Sequence, residues 1–213
     1  MHQTDSADLF RAAGFAGRTA IIVGTGPSLN IEQVKAAQKR GCILFGVNNT
    51  FQDFDLDVWI ACDPAWHATY SPVPGNFHKW HWDKSICEKH GYRYIEGRRG
   101  DGLSLDPAWI HYGHSSGYQA LNLAVHYGCD RILLAGFDMH YQRGQRHYFA
   151  GLSDQAGEYP QQLRKFSTFD GLIKCYQTVA DQHGLPQIIN CTPGSALKCF
   201  PFGELNDYPA KPV

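Results

Sequence analysis

No stretch of this 213-residue chain is apolar for long enough to cross a bilayer, and its start lacks the pattern of a secretory leader. The expectation is therefore a cytoplasmic protein with no membrane partner. A charge imbalance is missing too: 19 Lys and Arg face 20 Asp and Glu, a formal net charge of −1. Such a chain has no electrostatic footprint for non-specific nucleic-acid binding, although a small nucleotide ligand stays compatible with it. The seven cysteines contain no C-x-x-C pair, and their odd number and scatter suit reduced core residues. Eleven histidines match neither zinc-finger spacing nor H-E-x-x-H, so no metal site is expected. Internal repeats, low-complexity tracts and any sign of a second domain are also missing.

What is present is the composition of a globular protein, 43% hydrophobic and 18% charged, long enough for one domain with its own core. Aromatics at 13% exceed what a minimal core needs, so several are expected to line a pocket or an interface. Homo-oligomerisation is left open.

Residues 19–30 organise the chain. Ala20–Val23 is a short apolar run rich in β-branched residues, which reads as a buried strand. Gly24-Thr25-Gly26-Pro27-Ser28 follows, and Ile31–Arg40 has helical spacing. Strand, glycine turn and helix form the geometry in which backbone amides meet an anion, usually a phosphate. The motif is neither G-x-G-x-x-G nor a Walker loop, and it equally suits an ordinary βα turn in a parallel sheet.

Further apolar runs, Cys42–Val47 and Asp57–Cys62, end in Asn48-Asn49 and Asp63-Pro64. Their length and spacing predict βαβ units, giving an α/β, Rossmann-like, mostly parallel sheet with helices on both faces. Polar residues gather where each run stops, at the edge where open parallel sheets bind ligands. A short leading helix is expected over Asp5–Ala13, and residues 65–90, rich in Trp and His, read as irregular until a helix near Asp83–His90. Tyr92–Glu96 reads as a strand and Gly97–Gly102 as a mobile basic turn. Ser115-Ser116-Gly117 opens a helix through Tyr127 with an apolar stripe, stopped by Gly128. Arg131–Ala135 is a strand capped by Gly136-Phe137-Asp138. A long aperiodic stretch, Gln142–Arg164, carries His147-Tyr148-Phe149 and has the length of an active-site lid. Phe166–Gln182 is helical in spacing, Gln187–Asn190 is a last strand, and an irregular tail begins at Phe200.

In this order and spacing, Gly24–Ser28, Asn48-Asn49, Asp63-Pro64, Ser115–Gly117, Gly136–Asp138, His147-Tyr148 and Asn190–Leu197 resemble one superfamily. It groups bacterial CMP-sialic acid-dependent sialyltransferases with flagellin-glycosylating motility factors and 6-hydroxymethylpterin diphosphokinase-like proteins. Small phage-encoded proteins carry a similar pattern. The resemblance implies that Gly24, Thr25, Gly26, Pro27, Ser28, Asn48, Asn49, Asp63, Ser115, Ser116, Gly117 and Asp138 surround a cytidine nucleotide or nucleotide-sugar. Asp63 stands where the family has an asparagine. The resemblance also implies a CMP-sugar donor and His147 as catalytic base, with His140 or Tyr141 in the place of a tyrosine that assists the departing phosphate. No arginine precedes Ser115, where the family can place one.

The residue types suit this chemistry. Amides and hydroxyls at helix starts stabilise charge developing on phosphate. A histidine can deprotonate an acceptor hydroxyl at neutral pH, and no metal is needed. The alternatives are a Mg-dependent pyrophosphokinase-like enzyme, with Asp63, Asp138 and Asp101 as carboxylate ligands, and a non-catalytic protein that binds or sequesters a nucleotide.

Overall fold

β-Branched and leucine-rich runs form strands here because both of their faces are covered. The computed structural model describes residues 6–149 and 168–208. In chain order the elements are α1 (Ser6–Ala12), β1 (Thr19–Val23), α2 (Ile31–Lys39), β2 (Ile43–Val47) and β3 (Val58–Ile60). Next come α3 (Pro64–Tyr70), β4 (His78–His81), α4 (Lys84–His90), β5 (Arg93–Tyr94), β6 (Glu96–Arg98) and β7 (Trp109–His111). Then follow α5 (Ser116–His126), β8 (Arg131–Ala135), α6 (Phe169–Ala180) and β9 (Gln187–Asn190).

Seven strands pair in parallel in the order β5-β4-β3-β2-β1-β8-β9, and β6 and β7 form a separate parallel pair. Alternate residues divide between two cores. Ala20, Ile22, Phe45, Ile60 and Trp80 pack with α1, α5 and α6, whereas Ile21, Val23, Leu44 and Trp59 pack with α2, α3 and α4. The expected α/β, Rossmann-like sheet with helices on both faces is what forms. Ile21, Ile22 and Leu44 are wholly buried, each contributing about 1.5–3 kcal/mol of transfer free energy. None of the described helices is long and apolar enough to cross a membrane.

The chain lays down β1 to β5 in one direction, then returns through α5 to add β8 on the other side of β1. The strand order reverses between β1 and β8. In an open parallel sheet, the carboxyl side of that reversal is where a ligand crevice forms. α5 lies across β1, β2 and β3, so its N-terminus stands at the same edge.

Several expectations need correction. The helix expected near Asp83–His90 is α4, but the residues before it are not irregular: α3 starts at an Asp63 cap with Pro64 in its first turn, a start signal present in the sequence. β4 escapes recognition because histidine, lysine and tryptophan occupy its positions, and only pairing with β3 makes it a strand. The Tyr92–Glu96 run divides between β5 in the main sheet and β6 in the small one, and the basic turn enters β6 because Gly97 and Arg98 pair with β7. The Ser115 helix begins at Ser116, with Ser115 as its cap. Of the lid-like loop at about 142–164, residues 150–164 lie outside the described residues.

The unusual strand β4 is held by neutral histidines. His78 Nδ1 lies 2.6 Å from Tyr127 Oη, which also accepts from Trp80 Nε1 at 2.9 Å, so the Tyr127 hydroxyl donates to an unprotonated ring nitrogen. His81 Nδ1 accepts from Asp83 N at 2.9 Å. Burial first, then the charge of Arg93, lowers His78 to a pKa of about 4; burial and then His67 lower His81 to about 4. Unfolded histidine takes its proton near pH 6.5, so between pH 6.5 and 4 the unfolded chain binds more protons and stability falls as pH falls. The limiting slope is about 1.4 kcal/mol per pH unit for each ring. Urea midpoints should drop from pH 7 to pH 5, and His78 or His81 imidazole resonances titrating near 6.5 in the folded protein would contradict this account.

Candidate functional site

The carboxyl edge at the strand-order reversal is built by two turns that touch. Gly24 N donates to Ala135 O and Gly26 N to Gly136 O, each at 2.8 Å, and Ser28 N donates to Asp138 Oδ1 at 3.1 Å. A Cβ on Gly24 would stand 2.6 Å from Gly136 O and 3.0 Å from the Phe137 ring. A Cβ on Gly26 would lie 2.6 Å from Gly136 O and collide with the Asp138 carboxylate. Both glycines are therefore required by contact with the turn after β8. The amides of Gly24, Gly26 and Ser28 are spent on that contact, while Ser28 Oγ and Asp138 Oδ2 are buried without partners.

The second turn meets the first across one aromatic ring. A Cβ on Gly117 would come within 3.0 Å of Phe137, the same ring that abuts Gly24, so both amide-rich turns border Phe137. Ser115 Oγ caps α5 by accepting from Tyr118 N at 3.1 Å. Ser116 Oγ accepts from Cys62 N at 3.0 Å and donates to Asn48 Oδ1 at 2.9 Å, tying the helix start to the ends of β2 and β3. Burial pushes the adjacent Cys62 thiol up to about 11, so it stays protonated. Asn48 (φ 48°), His114 (φ 56°) and Met139 (φ 55°) are left-handed non-glycine residues, and all three flank these turns. Such conformations cost on the order of 1–3 kcal/mol and concentrate at functional sites.

His147 arrives at the same place from far along the chain. Its Nδ1 lies 2.7 Å from Thr25 Oγ1, and Tyr148 N donates to Thr25 O at 2.8 Å. Tyr148 Oη donates to Asp53 Oδ2 at 2.7 Å, and Phe149 stacks on His147 at 5.4 Å. Burial and that carboxylate raise the Tyr148 pKa, so its hydroxyl remains a donor. Asp53 was not singled out from the sequence, since no local pattern marks a partner 95 residues distant.

Other candidates have structural partners. Asn49 Oδ1 accepts from Trp66 Nε1 at 2.7 Å, and Asp63 caps α3 through Ala65 N at 2.8 Å. His140 lies between the carbonyls of Tyr141 and Gly194, while Tyr141 is exposed and edges against Phe169. Among the described residues no three His, Cys, Asp or Glu side chains gather where they could hold a metal, so Asp63, Asp101 and Asp138 form no carboxylate cluster. A cleft of about 410 Å³ opens beside α2, lined by Gln33, Cys191, Phe202 and Glu204 among others. Its lining takes in Cys191, Thr192 and Pro193 of the Asn190–Leu197 stretch but no residue of Gly24–Ser28, Ser115–Gly117 or Gly136–Asp138.

No protein-family model matches the chain, and no curated protein matches it in sequence. A solved structure of the MAf glycosyltransferase from Magnetospirillum magneticum AMB-1 is similar over 97% of this chain, with a TM-score of 0.57 and 13% sequence identity. This chain spans 39% of the length of that one. At this identity the likeness is one of fold, and it matches the α/β, Rossmann-like sheet described above.

The contact between turns makes a specific demand. Gly26→Ala should destabilise the protein by about 1–3 kcal/mol, the usual cost of overpacking, because Gly136 O and Asp138 leave no room for a methyl group. The double variant Gly26→Ala with Asp138→Ala should lose less than the sum of the two single losses, since one removes the other's clash. Additive losses in urea unfolding would show that the two turns are independent.

Proposed function

We propose that the chain binds a nucleotide-sugar along this edge, a CMP-sugar by preference, and transfers the sugar to an acceptor hydroxyl with His147 as general base. The observation that carries the reading is the 2.7 Å contact between Thr25 Oγ1 and His147 Nδ1, which brings the histidine onto the glycine turn at the strand-order reversal. With Nδ1–H donating to Thr25, the basic lone pair of a neutral ring sits on Nε2. His147 takes the acceptor's proton as the acceptor oxygen bonds to the anomeric carbon. The bond from that carbon to the CMP oxygen breaks, and CMP leaves as an anion.

The departing charge needs donors, and the first turn has few to offer because its amides face the β8 turn. The start of α5 suits the role better. The amides of Ser116 and Gly117 have no carbonyl partner within their own helix, and the dipole of an 11-residue helix favours an anion there. The likeness of fold to a glycosyltransferase supports the reaction class.

Calorimetry and a CMP-sugar hydrolysis assay test the proposal together. CMP should bind, and His147→Ala should keep that binding while turnover falls about 10²- to 10⁴-fold. Failure of CMP to bind at millimolar concentration would remove the reading. Tight binding with no His147-dependent turnover would favour the nucleotide-sequestering alternative.

A further inference from the structure

One strand beyond the ends of β2 and β3 that Ser116 ties together, the same edge holds an aromatic pair with unmet hydrogen-bonding capacity. Trp82 follows β4 directly, and Tyr112 links β7 to the start of α5. Both rings are partly exposed and meet edge to face at 5.1 Å and 76°. Trp82 also stacks on the buried His81 ring at 5.2 Å and 23°, which fixes its plane. Gly97 is glycine because a Cβ there would press on Tyr112 Cζ at 2.9 Å and Trp82 Cβ at 3.0 Å. β6 thus backs the pair with bare backbone.

The floor beside Tyr112 is Gln119, in the first turns of α5 and only 1% exposed. Its Nε2 donates to Tyr112 O at 3.1 Å, and that carbonyl settles the amide's orientation because only the NH2 side can donate to it. The other side, Oε1, is buried and has no partner. Trp82 Nε1, which can only donate, is likewise buried and unpartnered. One orphan acceptor and one orphan donor thus flank the same tyrosine. Buried groups of this kind are uncommon in folded proteins, and each calls for an explanation.

We infer that Trp82, Tyr112 and Gln119 form a subsite for a nucleobase. Its ring packs on the aromatic pair, an N–H or NH2 of the base donates to Gln119 Oε1, and the neighbouring ring acceptor takes the hydrogen of Trp82 Nε1. Adjacent donor and acceptor positions are what a pyrimidine edge presents. The inference rests on the nucleotide reading given above and fixes which way round that nucleotide lies. The end of β4 is three strands, about 14 Å, from the Thr25 turn that ends β1. An extended nucleotide spans a distance of that order, with its base at Trp82, its middle at Asn48 and Ser116, and its reacting end at His147.

Calorimetry with CMP, cytidine and ribose 5-phosphate, and the indole N–H spectrum of the wild-type protein, test the assignment. Trp82→Phe keeps a ring and removes the donor; Gln119→Met keeps the volume and removes the acceptor. Each should weaken CMP and cytidine binding about three- to tenfold, the worth of one hydrogen bond, and leave ribose 5-phosphate binding unchanged. CMP should also move the Trp82 indole resonance, assigned from the backbone, a readout that does not depend on either variant folding. If CMP binds the wild type while the Trp82 indole signal stays put and both variants bind it normally, the subsite is wrong and the nucleotide reading survives. If neither CMP nor cytidine binds the wild type, both fall.

Discussion

Two backbone turns approach each other at the end of β1 and β8 more closely than any side chain would allow. Gly24 and Gly26 lie against Gly136 and Asp138, and a methyl group at either glycine would be driven into a carbonyl oxygen. This contact joins the two halves of the sheet where their order reverses, and much else follows from it. It fixes Ser28 against Asp138 and so sets where α2 begins. It also presents Thr25 outward, toward His147.

The same contact decides how charge is handled at this edge. A glycine turn between a strand and a helix is commonly an anion cradle, because its amides are open to a ligand. Here those amides bond to the neighbouring turn, and the carboxylate of Asp138 sits beside them. In the proposed nucleotide complex the phosphate would lie at the start of α5, where Ser116 draws together the ends of β2 and β3. Asn48 and His114, both left-handed, adjoin that point.

The aromatic and histidine residues away from this edge serve the fold. Trp59 packs on Trp66 and Tyr92 on His67, both of α3, and Phe10 of α1 stacks on Trp80 at 5.1 Å. His67 donates from Nε2 to Ala61 O at 2.9 Å and accepts at Nδ1 from Ser71 Oγ, which takes the hydrogen of Tyr92 Oη. Each ring nitrogen has a use only while the imidazole is neutral. Trp82 and Tyr112 differ from these rings in having unmet polar capacity beside them.

The parallel sheet and its two-sided core were legible in the sequence, because runs such as Ala20–Val23 and Arg131–Ala135 are apolar on both faces and only a buried strand accommodates that. The helix start at Ser115 was legible for a similar reason, since a cap bonds to an amide two or three residues away. β4 was not, as its histidines and tryptophan resemble a strand only once Val58 and Ile60 lie beside them. The partners of the candidate residues lay beyond local pattern as well. Residue type told that Gly26 would permit a close approach, and the tertiary structure decided that the neighbour is Asp138. The motif named His147, and only the folded chain set it against Thr25 across 122 residues. Local bonds are written in neighbouring residues, whereas contacts between distant turns depend on how whole strands are ordered in the sheet.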